Sequence, residues 1–352
     1  MTPRERVMAA LRGGEPDTVP VALGFSAVAI ESVVPSGWQS ANAVDVEFVS
    51  LAPLPALERF RRKALPFRPD TRLGTAAQAY NYTRWKYRPG RSRGQNPLAR
   101  ARSIKDIDRI HFPGEVPSPR LLEGLAAEVS GIHARGLAAG GTLPHLGGEL
   151  FESAWRLRGL EAFLFDLHER PSWAHALLDR LTIFAERNAA ALAATGIDVI
   201  SLGDDVGMPG SMMIGPVPWR EFFKKRIARI IAAARSVAPR IAVLYHSDGW
   251  FEPIVSDLVE VGVDAINPLQ PEHMDGAGIR RRFGQTPALW GTVGTQGAFA
   301  RASPEEIRRE VKRRIDELGP RGLVLSPAYD IDTPEISRHN VAAFLAAARE
   351  YG

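Results

Sequence analysis

Cysteine is absent from the 352 residues. That excludes disulfides, thiolate–zinc sites, iron–sulfur clusters and a Cys nucleophile. Charge of one sign is also scarce. The 44 Lys+Arg and 40 Asp+Glu leave a net +4, which gives nucleic-acid binding no global electrostatic support. No uncharged apolar run reaches the ~18 residues that a bilayer-spanning helix needs. Glycine-rich nucleotide signatures are missing too: no Gly-x-Gly-x-x-Gly follows a first strand, and no Walker loop occurs. What remains is 45% hydrophobic and 24% charged residues, the balance of a soluble globular protein. The opening Met1-Thr2-Pro3-Arg4-Glu5-Arg6 is charged and reads as helical, unlike a signal peptide. A cytoplasmic enzyme or binding protein is therefore expected.

The chain opens with a helix over about 2–12, capped by Thr2, with Pro3 at its first position and Gly13-Gly14 stopping it. Val19 to Leu23 reads as a strand. Residues 43–64 read as a helical hairpin interrupted by prolines. Residues 68–102 read as an irregular basic and aromatic segment, in which Arg84, Lys86, Arg88, Arg91 and Arg93 alternate with Trp85 and Tyr87. From residue 119 a strand–helix rhythm sets in. Strands are expected at 137–143, 197–202, 241–246, 264–267, 288–292 and 322–326. Helices are expected at 119–135, 152–167, 171–195, 217–237, 251–261, 275–283, 303–318 and 334–350. Such alternation with buried, β-branched strands implies a parallel sheet. An open doubly wound sheet and a closed barrel both fit. The count of about seven or eight strands favours a single (β/α)8 TIM barrel over residues 1–352.

In a parallel barrel, chemistry sits at the C-terminal ends of the strands. The polar residues there are Asp204 and Asp205, His246 and Asp248, Gln270 and Glu272, Thr295 and Gln296, and Tyr329 and Asp330. Residues i and i+2 of a strand share a face, so His246 and Asp248 can project to one centre. Imidazole plus carboxylate suits zinc or another divalent ion. The bland alternatives are a His–Asp hydrogen bond, or Asp248 capping a helix near Trp250. Asp204 and Asp205 face opposite ways while extended, so at most one reaches the site. Glu149 and Glu152 lie between a strand and the next helix, where Glu152 can sit in a first turn favoured by the helix dipole. His145 reads as a loop hydrogen-bonder. Tyr329 is a candidate proton donor, or simply a loop anchor.

These motifs, in order, resemble the uroporphyrinogen decarboxylase superfamily, which includes the corrinoid-linked methyltransferases. The resemblance runs from Arg4-Glu5-Arg6-Val7 and Pro16-Asp17-Thr18-Val19-Pro20 through Phe151-Glu152-Ser153-Ala154-Trp155 and Gly203-Asp204-Asp205-Val206-Gly207. It continues in His246-Ser247-Asp248-Gly249, in Gly262-Val263-Asp264-Ala265-Ile266-Asn267-Pro268, in Trp290-Gly291-Thr292-Val293-Gly294 and in Ser326-Pro327-Ala328-Tyr329-Asp330. It implies one (β/α)8 barrel and, as in relatives, a homodimer. True uroporphyrinogen decarboxylases carry an early Arg-Gln-Ala-Gly-Arg-Tyr segment that anchors the carboxylates of the porphyrinogen. Here the corresponding Leu23 to Ala29 has neither arginine nor aspartate, which argues against that substrate. The methyltransferase branch holds zinc through His-x-Cys and a later Cys. Here His246 matches, Asp248 replaces the first Cys and Tyr329 stands near the second, a harder donor set.

The resemblance and the strand-end residues together imply a metal-dependent methyltransferase or demethylase. It would move a methyl group from a small substrate to a corrinoid carried by a partner protein. His246 and Asp248 would hold a divalent metal, zinc foremost. Asp205, Glu152 and Tyr329 would be catalytic, and Asp204, Gln270 and Gln296 would contact substrate. The alternative is a metal-free decarboxylase or lyase acting on a small carboxylated substrate. Neither nucleic acid nor membrane is an expected partner.

Overall fold

A computed structural model describes residues 1–24, 43–51, 96–108, 117–294, 299, 301–328, 331 and 337–352. Short runs of β-branched and small residues form the strands: β1 (Val46–Ser50), β2 (Ala138–Thr142), β3 (Val199–Gly203), β6 (Ala242–His246), β7 (Ala265–Asn267), β8 (Ala288–Trp290) and β9 (Leu323–Val324). Among the described residues they make one seven-stranded sheet in the order β1-β2-β3-β6-β7-β8-β9, and every pair is parallel. Strands β4 (Gly207–Met208) and β5 (Ser211–Met212) form a separate antiparallel hairpin around Pro209-Gly210. Among the described residues, no helix is long and apolar enough to cross a membrane.

The strand expected at 19–23 contributes a single parallel bridge, Val21 to Leu325, instead of a ladder. Residues 20–22 nevertheless touch both edges of the sheet. Leu325 N–H donates to Pro20 O at 2.8 Å, and Asp45 N–H donates to Val21 O at 2.8 Å. The helical hairpin expected over 43–64 is corrected in its first part. Val46-Glu47-Phe48-Val49-Ser50 is a strand, held in register against Ala138–Thr142. Its two valines and Phe48 suit a pleated surface better than a helix. Residues 52–64 lie outside the described residues, as does most of the basic segment 68–102.

Alternation along the strands separates two cores. Val46, Phe48, Ala138, Val199, Ala242, Leu244, Ala265, Ala288, Trp290 and Val324 form an inner cluster. Val49, Ala139, Ile200, Val243, Tyr245, Ile266, Leu289 and Leu323 face the helices in the outer one. Helix α1 (Pro3–Leu11) inserts Val7, Ala10 and Leu11 into the inner cluster. Thr2 caps it as expected, and the Glu5 side chain accepts in return from the Thr2 N–H. Arg4 pairs with Asp198 at 2.8 Å and Arg6 with Asp45 at 2.6 Å, which ties this helix to the N-terminal ends of the strands.

Helices α2 (Ile104–Asp108) and α3 (Pro119–Ala134) precede the expected helix 152–167, which is two helices, α4 (Phe151–Arg158) and α5 (Leu160–Glu169). They meet at Gly159, whose φ of 97° an L side chain seldom adopts. The short first helix fixes the direction of Glu152 and Arg156 toward the ends of β3 and β6.

Candidate active site

Parallel register builds the site. Gly203 of β3 pairs with His246 of β6, which pairs with Asn267 of β7. Three strand ends therefore stand side by side on the C-terminal edge. The inward parity of Val199 carries on to Asp205, that of Ala242 and Leu244 to His246, and that of Ala265 to Asn267. Asp204 and Tyr245 fall on the outward parity.

Asp205, His246 and Asp248 each offer a ligand atom, and these atoms all lie within 4.8 Å of one another. His246 Nε2 is 3.5 Å from Asp205 Oδ1. His246 Nδ1 meets Asn267 Oδ1 at 2.8 Å. Asp205 Oδ1 also accepts from the Asp248 N–H at 2.9 Å, which locks the two acids together. Burial opposes ionisation of Asp205, but the hydrogen bond and charge of His246 outweigh it and hold the carboxyl below its ordinary value. Burial equally disfavours the imidazolium, yet Asp205 and Asp248 push His246 up to about 9. Asp248 does not cap the following helical turn. Its Oδ1 accepts from Gln270 Nε2 at 3.1 Å.

Glycines let the backbones close up here. Gly249 has φ 77°, and a Cβ there would lie 2.7 Å from the Gly207 backbone. The hairpin β4–β5 thereby stacks on the Asp248-Gly249 turn, and Trp250 N–H donates to Met208 O at 2.9 Å. Only glycine fits both the positive φ and the contact.

Beside the donor set lie buried acids. Glu152 sits in the first turn of α4, as expected from its position. Its Oε1 accepts from Arg156 at 2.9 Å and its Oε2 from the Asp205 N–H at 3.4 Å. Burial and the Asp205 charge push its carboxyl up to about 7, against the pull of Arg156. Glu149 Oε2 accepts from the Gly203 N–H at 2.6 Å, and burial pushes this acid up to about 8.

Asp204 points away from this centre. Its carboxyl accepts from the Leu150 and Glu152 N–H groups at the start of α4, and burial pushes it well above its ordinary value. Gln270 engages both ends of its amide, accepting from Gly249 N–H at 2.7 Å besides donating to Asp248. Asp204 is 3% exposed and Gln270 1%, and the carboxyl and the amide both have partners within the protein. Each sits where backbone N–H groups need an acceptor. Tyr329 and Gln296 lie outside the described residues. His145 is a loop hydrogen-bonder, accepting from Gly147 N–H at 3.0 Å. Asn267 and Arg156 were not among the expected site residues. Asn267 ends a buried strand, the same signal that marks His246. Arg156 lies four residues beyond Glu152, on the same helix face.

The donor chemistry fits a divalent ion. One imidazole nitrogen and two carboxylates are ordinary zinc ligands, and the Asn267 contact leaves Nε2 facing the acids. His246, Asp248 and Asp205 are the residues that would hold it.

The structure is similar to that of a methyltransferase from Methanosarcina mazei, with a TM-score of 0.67 and 19% identity over 100% of this chain and 99% of the other. A B12-independent methionine synthase from Shewanella sp. W3-18-1 aligns at a TM-score of 0.42 and 11% identity, over 65% of this chain and 66% of the other. A 2,3-dimethylmalate lyase aligns at 0.41 and 12%, over 99% of this chain and 83% of the other. No curated protein sequence matches significantly. The family model described as uroporphyrinogen decarboxylase (URO-D) matches residues 151–351. That match covers more than half of the chain and all three donor residues, and the chain belongs to the uroporphyrinogen decarboxylase family.

Proposed function

We propose that this protein is a metal-dependent methyltransferase or demethylase that moves a methyl group from a small substrate to a corrinoid carried by a partner protein. The observation that carries the reading is the Asp205–His246–Asp248 donor set at adjacent strand ends. The methyltransferase fold from Methanosarcina mazei supports the barrel, which we take to close as a single (β/α)8 domain through residues 20–22. The same reading carries a cytoplasmic setting and a homodimer.

His246, Asp248 and Asp205 would bind a divalent ion, zinc foremost. Bound there, the ion would supply Lewis acidity toward an ether, amine or thioether heteroatom. Without an ion, burial and the Asp205 charge raise the Glu152 carboxyl to about 7. Glu152 would give a proton to the heteroatom left behind when the methyl departs. Arg156 keeps Glu152 oriented through their 2.9 Å contact. Tyr329 is assigned a second proton-handling role and Gln296 a substrate contact.

A second reading, a metal-free decarboxylase or lyase, is favoured by one observation. His246, raised to about 9 by its acids, is an imidazolium at neutral pH. It balances Asp205 without an ion and could protonate a carbanion-like intermediate.

Elemental analysis of the purified protein beside His246→Ala and Asp248→Ala separates the two. The methyltransferase reading expects near-stoichiometric zinc or another divalent ion, lost in both variants, and methyl transfer from methoxy, amine or sulfonium donors to a reduced corrinoid protein. No metal after reconstitution, with carbon dioxide released from a carboxylated aromatic in chelator, would establish the second reading instead.

A further inference from the structure

Each donor at the end of β6 leans on an amide from the neighbouring strand or the turn after it. The β6–β7 register sets Asn267 directly opposite His246, on the same inward parity. Its Oδ1 stands 2.8 Å from Nδ1 of the ring. A carbonyl oxygen only accepts, so Nδ1 carries the proton in this contact and the ring turns Nε2 toward Asp205. Three residues on, Gln270 grips the Asp248-Gly249 turn from both ends of its amide, through Gly249 N–H at 2.7 Å and Asp248 Oδ1 at 3.1 Å. Both amides are 1% exposed.

Burying an amide is unfavourable unless it is hydrogen-bonded. These two find partners on the donor residues and the turn that carries one of them. Gly291 leaves room for the Asn267 amide: a Cβ there would lie 3.0 Å from its Nδ2.

We infer that Asn267 and Gln270 are positioning residues of the metal centre, Asn267 fixing which nitrogen of His246 faces the ion and Gln270 fixing the orientation of the Asp248 carboxylate. The inference rests on the metal-dependent reading of the site. It assigns to these amides no contact with substrate. Partners of this kind hold ligand geometry, and their loss typically lowers metal affinity about 10–100-fold.

The test uses the full chain, with zinc affinity read by competition against a chromophoric chelator and the cobalt(II)-loaded absorption spectrum as a report on ligand geometry. Asn267→Leu is expected to weaken zinc about 10–100-fold and to change the cobalt bands. Asn267→Asp keeps an acceptor for Nδ1–H and is expected to restore both. Gln270→Met removes the grip on Asp248 with little change of shape, and is expected to weaken zinc similarly. It keeps the inference falsifiable should Asn267→Leu fail to fold. Wild-type affinity and an unchanged spectrum in either variant overturn the role of that residue. Failure of Asn267→Asp to restore binding overturns the hydrogen-bond account of Asn267. A wild-type protein that takes up neither zinc nor cobalt overturns the metal reading and this inference with it. Zinc bound by the wild type and equally by both variants overturns the inference alone.

Discussion

His246 and Glu149 both hold a proton more tightly in the folded chain than their free side chains do. For His246 burial works the other way, but Asp205 and Asp248 raise it from 6.5 to about 9. For Glu149 burial dominates and raises it from 4.5 to about 8. In each case the stability gained is complete below the unfolded value and is lost as pH rises through the folded one. The two windows run from 4.5 to about 8 and from 6.5 to about 9, so their effects add in the same direction. Metal-free protein is expected to melt at progressively lower temperature as pH rises from 5 to 9. Glu149→Gln keeps an acceptor for Gly203 N–H but cannot ionise, so it should flatten the lower part of that curve. Calorimetry in chelator across this range checks both statements. A melting temperature independent of pH, or an unchanged slope in the variant, would contradict them.

At the scale of elements, a strand caps a helix. Leu150, at the N-terminal boundary of α4, makes no side-chain cap. Asp204, just past the end of β3, supplies the acceptor for two N–H groups there. Asp204→Asn is expected to cost less than Asp204→Ala, because its amide oxygen still accepts. Asp204→Ala should cost about 1–3 kcal/mol, the range for losing a cap and leaving buried N–H groups unpaired. It should also loosen Glu152, whose N–H is one of the two. Urea unfolding of the three proteins decides the point; equal losses in both variants would mean that the charge itself is needed. The adjacency of two acids in sequence showed that only one could face the site. It did not show that the other would reach across to α4.

Across the whole molecule, one aromatic residue fills the space that a glycine leaves. Phe48 of β1 lies edge-on to Trp290 of β8, with ring centroids 6.0 Å apart. It also covers Gly140 of β2, where a Cβ would come within 2.3 Å of the Phe48 ring. Strands far apart in sequence thus share one close-packed interior. Gly140→Ala is expected to destabilise the protein by about 1–3 kcal/mol through overpacking. Adding Phe48→Leu should return part of that loss, because the smaller side chain makes room for the new methyl. A double-mutant cycle by denaturant unfolding measures the coupling. Strict additivity would show that Gly140 is present for some reason other than the ring.

The order of strands and helices from residue 119 onward was legible because buried parallel strands read as apolar runs and their helices as amphipathic ones, each a local signal. His246, Asp205 and Asp248 were legible as polar residues closing such runs, and the period of two placed Asp204 and Asp205 on opposite faces. The first third of the chain was harder, since residues 19–23 and 46–50 take their state from neighbours about 300 and 90 positions away, and local propensity carries no information about a distant partner. The same limit hid Asn267 and the engagement of Gln270. Which amide meets which donor depends on the register of β6 against β7, and register is settled only when the strands pack.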